Sequence, residues 1–372
     1  MVAVQGCGIL PVTFAAQGVN FLANLRFLAG TDAHQTLMEQ GLKPEHFTQL
    51  LAASGGPKWL GIAGLDKYLF GEFFKQRQTP LYTLGASSGA WRLACLAQAD
   101  PLAAYQRLEQ LYIGQRYETR PSREEVSRQV RGIVSGILGT SGAEEILKQP
   151  HIRSHIVVCR ARHLNRAGSK LALAAGLGAA AMTNLVSRRT LGWHFERLVF
   201  ASAIEGSPFA QLKDLPGDSA LLSSDNIEAV LLATGSIPLL LSPVTEIRGV
   251  TNGHFYDGGI TDYHFDLPLS WAPGLTLYPH FYPHMAPGWF DKSLPWRRAK
   301  RRYHNALVLA PTEEFVASLP YGKIPDRKDF ETLDSASRIQ YWRRAADMSN
   351  RLADEFAEVF LGGKIAQRLE LL

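Results

Sequence analysis

The stretch YTLGASSGAW (residues 82–91) decides how this sequence is interpreted. It joins a short apolar run, opened by Pro80, to a segment in which Trp91, Cys95 and Leu96 continue a helical apolar pattern. A serine between two glycines at a strand-to-helix turn is typical of a catalytic nucleophile, because the tight turn lifts the hydroxyl clear of the sheet and the glycines leave room for it. The alternative is an ordinary loop that contains Ser87.

A second strand–turn–helix unit precedes this one. FTQLLAAS (47–54) is a short apolar run that ends in small residues, and it leads into a Gly-rich turn and a segment with helical spacing from Trp59 to Leu69. Two such units in succession predict a parallel sheet covered by helices. The pattern predicts further strands at 154–162, 194–203 and 253–259. It predicts helices at 226–237 and from Asp334 to the glycines at 362–363.

The composition indicates a globular protein with a sizeable core, and the length allows one large domain or two smaller ones. The chain has 372 residues, 46% hydrophobic and 20% charged, and it shows no internal repeat or Gly/Ser-rich linker. Cys7, Cys95 and Cys159 are too few and too scattered for a disulfide framework or a metal site. We therefore expect one domain with insertions, and neither a metal nor a cofactor.

Charge and hydropathy bear on the partners and the location. No basic residue precedes Arg26, which argues against a secretory signal, and the apolar run at 171–186 is shorter than the roughly 20 residues of a spanning helix. A cytoplasmic protein is expected. The cluster WRRAKRRYH (296–304) is either a solvated face or a site of attraction to anionic lipid, so peripheral membrane contact stays open. The net charge of +5 comes with no nucleic-acid recognition motif, so no nucleic-acid partner is expected.

Two other Gly-rich turns carry candidate functional residues. SGGPK (54–58) places small residues ahead of a helix, where free backbone N–H groups can bind a phosphate or stabilise an oxyanion, although the spacing does not fit a nucleotide P-loop. YDGG (256–259) is either an ordinary turn or the position of a carboxylate base, Asp257.

Together these three turns resemble the patatin-like phospholipases. That family has a Gly-rich oxyanion loop after the first strand, a G-x-S-x-G elbow after the second and a D-G-[GA] turn that carries the catalytic Asp. The matching segments here are 54–58, 85–89 and 257–259, in the same order, and the similarity covers roughly residues 45–270. The resemblance implies a three-layer α/β/α fold with a mainly parallel sheet and helical insertions. It also implies a catalytic core at 45–270, with segments 1–44 and 271–372 packed on the same domain.

The resemblance further implies a serine–aspartate dyad that hydrolyses phospholipid or lysophospholipid esters. Ser87 is then the nucleophile, Asp257 the base, and Gly55 and Gly56 the oxyanion hole. The supporting motif residues are Lys58, Gly85, Gly89, Gly258 and Gly259. A free carboxylate is a poor base near neutral pH, so Asp257 is expected in a dry pocket that raises its pKa.

The chain departs from the family pattern at two places. Ser54 stands where the family has the first Gly of its oxyanion loop, and Trp59 stands where it has the last. The usual Asn-Pro after the DGG turn is replaced by ITDYHFDLP (260–268).

Three alternatives stay open at this level. One is a Ser–Asp–His triad of the α/β-hydrolase type, since four histidines follow Asp257 in the chain: His264, His280, His284 and His304. The second is a non-catalytic peripheral membrane-binding protein that uses the 171–186 run and the 296–304 cluster. The third is acyl transfer to another lipid by the same residues.

Overall fold

The computed structural model describes residues 23–117, 121–210, 212–267, 272–299 and 302–372. The predictions that rest on Cys7 and on the rest of segment 1–22 lie outside these ranges, as do Lys300 and Arg301 of the basic cluster.

Strands and helices alternate in the first part of the described chain, and runs of consecutive helices or consecutive strands follow. The strands are β1 (Leu25–Ala29), β2 (Phe47–Ala52), β3 (Leu81–Gly85), β4 (Ile152–Ala161), β5 (Phe195–Ala201), β6 (Gly217–Leu221), β7 (Phe255–Asp257), β8 (Leu275–Pro279), β9 (Ala306–Pro311) and β10 (Leu369–Leu371). The α-helices are α1 (Thr31–Gln40), α2 (Ala63–Tyr68), α3 (Ser88–Leu96), α4 (Pro101–Ile113), α5 (Arg123–Leu138), α6 (Gly142–Lys148), α7 (Lys170–Val186), α8 (Leu191–His194), α9 (Ile227–Thr234), α10 (Glu313–Ser318), α11 (Asp329–Thr332), α12 (Ser335–Met348) and α13 (Asn350–Leu361).

All the described strands join one sheet, in the order β10-β1-β9-β8-β2-β3-β4-β5-β6, with β7 paired to β4. Six of the nine strand pairings are parallel, and the antiparallel ones are β1–β9, β4–β5 and β4–β7. The two predicted strand–turn–helix units form neighbouring parallel strands β2 and β3, as a crossover connection requires.

Helices flank the sheet, so the fold is a three-layer α/β/α arrangement with a mainly parallel sheet, as predicted. Adjacent side chains of a strand point to opposite faces, and β4 shows this directly. Val158 packs in the main hydrophobic core, whereas its neighbour Cys159 belongs to a smaller cluster with Leu173 and Leu177 of α7.

The arrangement of β3, β4 and β7 positions the candidate site. β5 pairs along β4 from His155 to Ala161, so β3 and β7 share the other edge of β4. β3 runs parallel to β4 and ends with Gly85 opposite Ile156, whereas β7 runs antiparallel and ends with Asp257 opposite Val158. The two strands therefore approach each other end to end, and the residues just beyond Gly85 meet Asp257.

The single helix predicted from Asp334 onward is two helices. Asp334 caps α12 by accepting hydrogen bonds from the N–H groups of Ala336 and Ser337, and the helical pattern is interrupted at Ser349 before α13 begins. The Ser349 hydroxyl donates to the carbonyl of Ala346 and accepts from the Gly64 N–H of α2. These contacts place the break against α2.

Candidate active site

Ser87 lies on the turn between β3 and α3 in a backbone conformation that side-chain-bearing residues rarely adopt. Its φ is 54° and its ψ is −133°. The turn needs both flanking glycines, because a Cβ on Gly85 would stand 2.6 Å from the Ala90 backbone and a Cβ on Gly89 would stand 2.0 Å from the Ala52 carbonyl oxygen. A strained position of this kind persists only where the surroundings enforce it, and such positions concentrate at functional sites.

The Ser87 side chain contacts Asp257 across the junction of β3 and β7. Its Oγ donates a hydrogen bond to Asp257 Oδ2 at 2.6 Å, and both side chains are buried. The other carboxylate oxygen, Oδ1, accepts from the Gly259 N–H at 2.7 Å. The structure thus brings together two residues that are 170 positions apart in the chain.

The surroundings of Asp257 raise the pKa of its carboxyl group. Burial is the main cause, and it is partly opposed by the Arg327 guanidinium and by the hydrogen bonds from Ser87 and Gly259, all of which favour the charged form. A carboxylate with a raised pKa is a stronger base than a solvated one, and the hydroxyl whose proton it would accept already points at it.

The turn that follows Asp257 is fixed by close packing and by a buried ion pair. A Cβ on Gly258 would stand 2.2 Å from the Val157 carbonyl oxygen, so the turn lies directly on β4. Asp262 accepts two hydrogen bonds of 2.7 Å from Arg197 of β5. This contact holds the segment where the family pattern has Asn-Pro.

Thr234, at the end of α9, links the backbone of the Ser87 turn to β4 by hydrogen bonds. The Ser87 N–H donates to Thr234 Oγ1 at 2.9 Å, and that hydroxyl donates to the Val157 carbonyl at 2.6 Å. Since the Ser87 amide is engaged in this way, it is not available to an oxyanion. The sequence carries no signal for this role beyond a threonine at the end of an apolar helix.

The Gly-rich loop begins at Ser54, whose Oγ donates to the Ala86 carbonyl at 3.1 Å, next to the elbow. Gly56 has a φ of +58°, and a Cβ there would stand 2.9 Å from Arg327 Nε, while a Cβ on Gly55 would overlap the Phe281 ring. Among the described residues, the amides of Gly55 and Gly56 have no hydrogen-bond partner. An oxyanion hole needs unpaired N–H donors of this kind.

A small cavity joins these groups. It measures about 20 Å³, which is room for about one water molecule, and its lining is mostly apolar with one carboxylate and one guanidinium. Gly55, Gly56 and Lys58 do not line it directly. The residues that line it are Ser54, Ser87, Ile237, Pro238, Asp257, Gly259, Ile260, Tyr263, Trp289 and Arg327.

Arg327, Tyr263 and Trp289 could not be identified from the sequence. Arg327 lies in a charged loop far beyond the three Gly-rich turns, and only the fold brings it over Gly56. A larger, more open groove is lined by Arg116, Tyr341 and Arg344, among others, but it holds no nucleophile hydrogen bonded to a base.

The histidines that follow Asp257 make their contacts elsewhere. Within the described ranges none of them hydrogen bonds to Ser87 or Asp257, so the geometry offers no third member of a triad. His264 Nδ1 accepts from the Ala286 N–H at 3.0 Å, His280 Nδ1 lies 2.6 Å from the Tyr282 backbone oxygen, His284 stacks on Tyr282, and His304 Nδ1 lies 3.3 Å from Thr31 Oγ1.

In the part of the chain that the structure describes, no group of three or more His, Cys, Asp or Glu side chains is arranged to hold a metal ion. Among the described helices, none combines the length and the apolar character needed to cross a membrane.

Comparison with models of known families finds no match, and neither does comparison with curated proteins. Among solved structures, the chain is similar to the crystal structure of VipD from Legionella pneumophila, with 13% sequence identity and a TM-score of 0.32. The similarity covers 63% of this chain and 50% of the VipD chain, so this chain spans about half of that structure.

Proposed function

We propose that this protein is a serine acyl hydrolase of the patatin-like type that cleaves carboxylic ester bonds of phospholipids or lysophospholipids through Ser87 and Asp257. The observation that carries the proposal is the buried 2.6 Å hydrogen bond from Ser87 Oγ to Asp257 Oδ2, made at a strained turn between a strand and a helix. A nucleophile in hydrogen-bond contact with a base is the minimal arrangement for acyl transfer.

In the proposed reaction, Ser87 Oγ attacks the ester carbonyl carbon while its proton passes to Asp257. The negative charge that develops on the carbonyl oxygen is stabilised by the free amides of Gly55 and Gly56. The intermediate then collapses to an acyl-enzyme, and the proton on Asp257 passes to the departing alcohol. Asp257 next takes a proton from water, whose oxygen attacks the acyl carbon. When this second intermediate collapses, the bond from the acyl carbon to Ser87 Oγ breaks, the carboxylic acid is released and the proton on Asp257 returns to Ser87 Oγ.

The environment of the base supports this role. Burial raises the pKa of Asp257, which makes its carboxylate a better proton acceptor than an exposed aspartate. Its second oxygen is held by the Gly259 N–H, so the carboxylate keeps one orientation. Transfer of the acyl group to another lipid instead of water would use the same residues.

We also propose that the protein contacts anionic membranes, where a lipid substrate would be found. Met182, Leu185 and Val186 at the end of α7 are exposed and lie at helical spacing on one side. Arg297 donates to the backbone oxygens of Asn184 and Leu185, which places the exposed Trp296 beside the helix end. We call Met182, Leu185, Val186, Trp296 and Arg297 the α7 surface; it combines apolar and basic groups suited to an anionic bilayer.

Labelling with a serine-directed fluorophosphonate tests the dyad. We expect strong labelling of the wild type and none of Ser87→Ala. Ser88→Ala is the matched control, because this neighbouring serine is also buried but its Oγ has no hydrogen-bond partner among the described residues, and it should label like the wild type.

Asp257→Asn tests the base. The Gly259 N–H can still donate to the amide oxygen, so the amide NH₂ group faces Ser87 and cannot accept its proton. We expect labelling and ester hydrolysis to slow by about 10²- to 10⁴-fold, the usual contribution of a general base. Unchanged labelling of Ser87→Ala refutes the proposed nucleophile, and retained vesicle binding with no hydrolysis by the wild type supports a non-catalytic membrane protein.

A further inference from the structure

Arg327 lies at the wall of the candidate active site and has no counter-ion among the residues that the structure describes. It lines the same cavity as Ser87 and Asp257, and its Nε lies 2.9 Å from the position of a Cβ on Gly56. Within the described ranges its guanidinium makes no hydrogen bond and no ion pair. Arg327 is half-buried, whereas Arg92 and Arg197 are fully buried and are paired, since Arg92 binds Asp66 at 2.6 Å and Arg197 binds Asp262 at 2.7 Å.

The acidic residues closest to Arg327 in the chain are engaged with other groups. Asp326 pairs with Lys323 at 3.5 Å and accepts from the Lys328 N–H. Asp329 accepts from Lys323 and from the indole N–H of Trp342. Among the described residues that line the cavity, Asp257 is the only carboxylate, and its oxygens already accept from Ser87 and Gly259.

A second cation stands at the edge of the same cavity. Lys292 Nζ lies 5.0 Å from the centre of the Tyr263 ring and 5.8 Å from the centre of the Trp289 ring, and both rings line the cavity. No hydrogen bond or ion pair of the Lys292 ammonium group is formed with a described residue. Lys292 is exposed at the protein surface, and partial desolvation of its ammonium group, together with Arg327 and Lys58, lowers its pKa. The cations near the dyad therefore repel one another, and a bound anion would relieve that repulsion.

We propose that Arg327 and Lys292 form a subsite for a phosphate-type anion on the ester substrate, so that phosphate-bearing esters are selected over neutral ones. The inference rests on the proposed function for the identity of the ester substrate. The binding of the anion itself does not depend on that function. The planar guanidinium offers donors in a fork that matches the oxygens of a phosphate, and Lys292 adds a point charge. The source of the phosphate is a lipid headgroup, because the subsite adjoins the apolar wall formed by Ile237, Pro238 and Ile260.

A different role for Arg327 predicts different kinetics. If its guanidinium acted only on Asp257 or on the developing oxyanion, its removal would slow the hydrolysis of every ester alike. A headgroup subsite instead predicts loss that is confined to phosphate-bearing substrates. The comparison of two matched substrates separates these roles.

The first measurement is binding, and it does not depend on hydrolysis. Calorimetry follows a short-chain diether glycerophosphate, which has no ester to cleave, and the matching diether glycerol, which has no phosphate, added to the Ser87→Ala protein. We expect the phosphate compound to bind the more tightly. Adding Arg327→Gln should weaken its binding by about 10- to 100-fold, as expected for lost hydrogen bonds to a charged group.

Variants with graded charge and a distant control complete the binding series. Lys292→Gln should weaken binding of the phosphate compound by a smaller factor, and Arg327→Lys should be intermediate because it keeps the charge but not the fork. Arg343→Gln removes one exposed arginine of α12 that does not line the cavity, and it should bind like the parent. Inorganic phosphate that binds as tightly as the diether compound overturns the assignment to a lipid headgroup.

The second measurement is hydrolysis by the protein with Ser87 intact. For short-chain phosphatidic acid and the matching diacylglycerol, Arg327→Gln should lower the ratio of the two kcat/KM values by about tenfold or more. Equal loss for both substrates overturns the subsite, as does phosphate binding that is unaffected by Arg327→Gln. Phosphate binding that depends on Arg327 in a protein with no esterase activity upholds the subsite and rejects the dyad.

Discussion

Replacement of Gly89 by alanine is the sharpest structural test of the elbow. The added Cβ would stand 2.0 Å from the Ala52 carbonyl oxygen and 2.5 Å from its carbon, whereas ordinary contacts begin at 3.4 Å. The backbone must therefore shift by about 1.4 Å, which is the difference between 3.4 Å and 2.0 Å. The groups that would have to move are the backbone of β2 at Ala52 and the backbone of α3 at Gly89. Overpacking a rigid site typically costs about 1–3 kcal/mol or more, and here the upper end is expected because no flexible side chain can yield.

That cost has two measurable consequences. With an unfolding entropy of about 2.1 cal/mol/K per residue, a loss of about 3 kcal/mol lowers the Tm of this chain by about 4 °C. If the strain is instead relieved by shifting the elbow, Ser87 moves away from Asp257, and a displacement of about 1 Å costs about 10²-fold in rate. We expect a lower Tm together with slower fluorophosphonate labelling.

The matched control is Gly132→Ala in α5. A Cβ there meets nothing within 4 Å, and the residue is an exposed position inside a helix. This variant should gain about 0.5–1 kcal/mol and label at the wild-type rate. Gly89→Ala with the wild-type Tm and labelling rate would refute the close packing described for the turn.

Two further predictions concern pH and membranes. The proposed base, Asp257, can accept a proton only when it is charged, and burial raises its pKa, so kcat/KM for a neutral ester should fall as the pH drops toward an acid limb that lies above about 3.9. Arg327→Gln removes a neighbour that favours the charged form, so it should move the limb to higher pH while Arg343→Gln leaves it in place; a pH–rate profile with an unmoved or lower limb contradicts this. Val186→Asp and Trp296→Ala should each weaken co-sedimentation with phosphatidylserine-containing vesicles by about tenfold, since each removes apolar burial from the α7 surface. Leu361→Asp, at an equally exposed apolar position of α13, is the control, and an equal loss there argues against a specific membrane-contacting surface.

Much of the fold could be predicted because the local patterns were strong. The runs at 47–54 and around 82–85 are β2 and β3, and the runs at 154–162 and 194–203 are β4 and β5. Each is an apolar stretch bounded by turn residues, which is the form a buried strand takes in a covered sheet. The predicted three-layer fold with a mainly parallel sheet is confirmed on this basis.

The edge of the sheet was harder to predict. β1 and β10 come from opposite ends of the chain and pair with each other, and β8 and β9 follow segments with no clear helical or strand period. Such pairings depend on tertiary contacts, which override local preference. The boundaries proposed for the catalytic core, 45–270, stay a prediction, although strands on both sides of this segment join the same sheet.

In the candidate site, too, some residues could be predicted from the sequence and others could not. Ser87, Asp257 and the Gly-rich loop could be proposed because each lies in a short motif, and the three motifs together resemble one family. Thr234, Arg327 and Lys292 lie in no motif, since their relation to Ser87 exists only in three dimensions. A charged loop such as that around Arg327 usually predicts solvent exposure and nothing more.

The end-to-end meeting of β3 and β7 along β4 implies that the register of these two strands on β4 sets the distance between Ser87 and Asp257. Thr234 and Arg197, which also lie in the chain between the two residues, hold the turns at either side. The loops of that linking chain that contact neither turn are thus free to lengthen, shorten or change sequence over generations without altering this distance. A single-residue insertion within β4 between Ile156 and Val158, by contrast, would slide one partner past the other and turn alternate side chains to the wrong face.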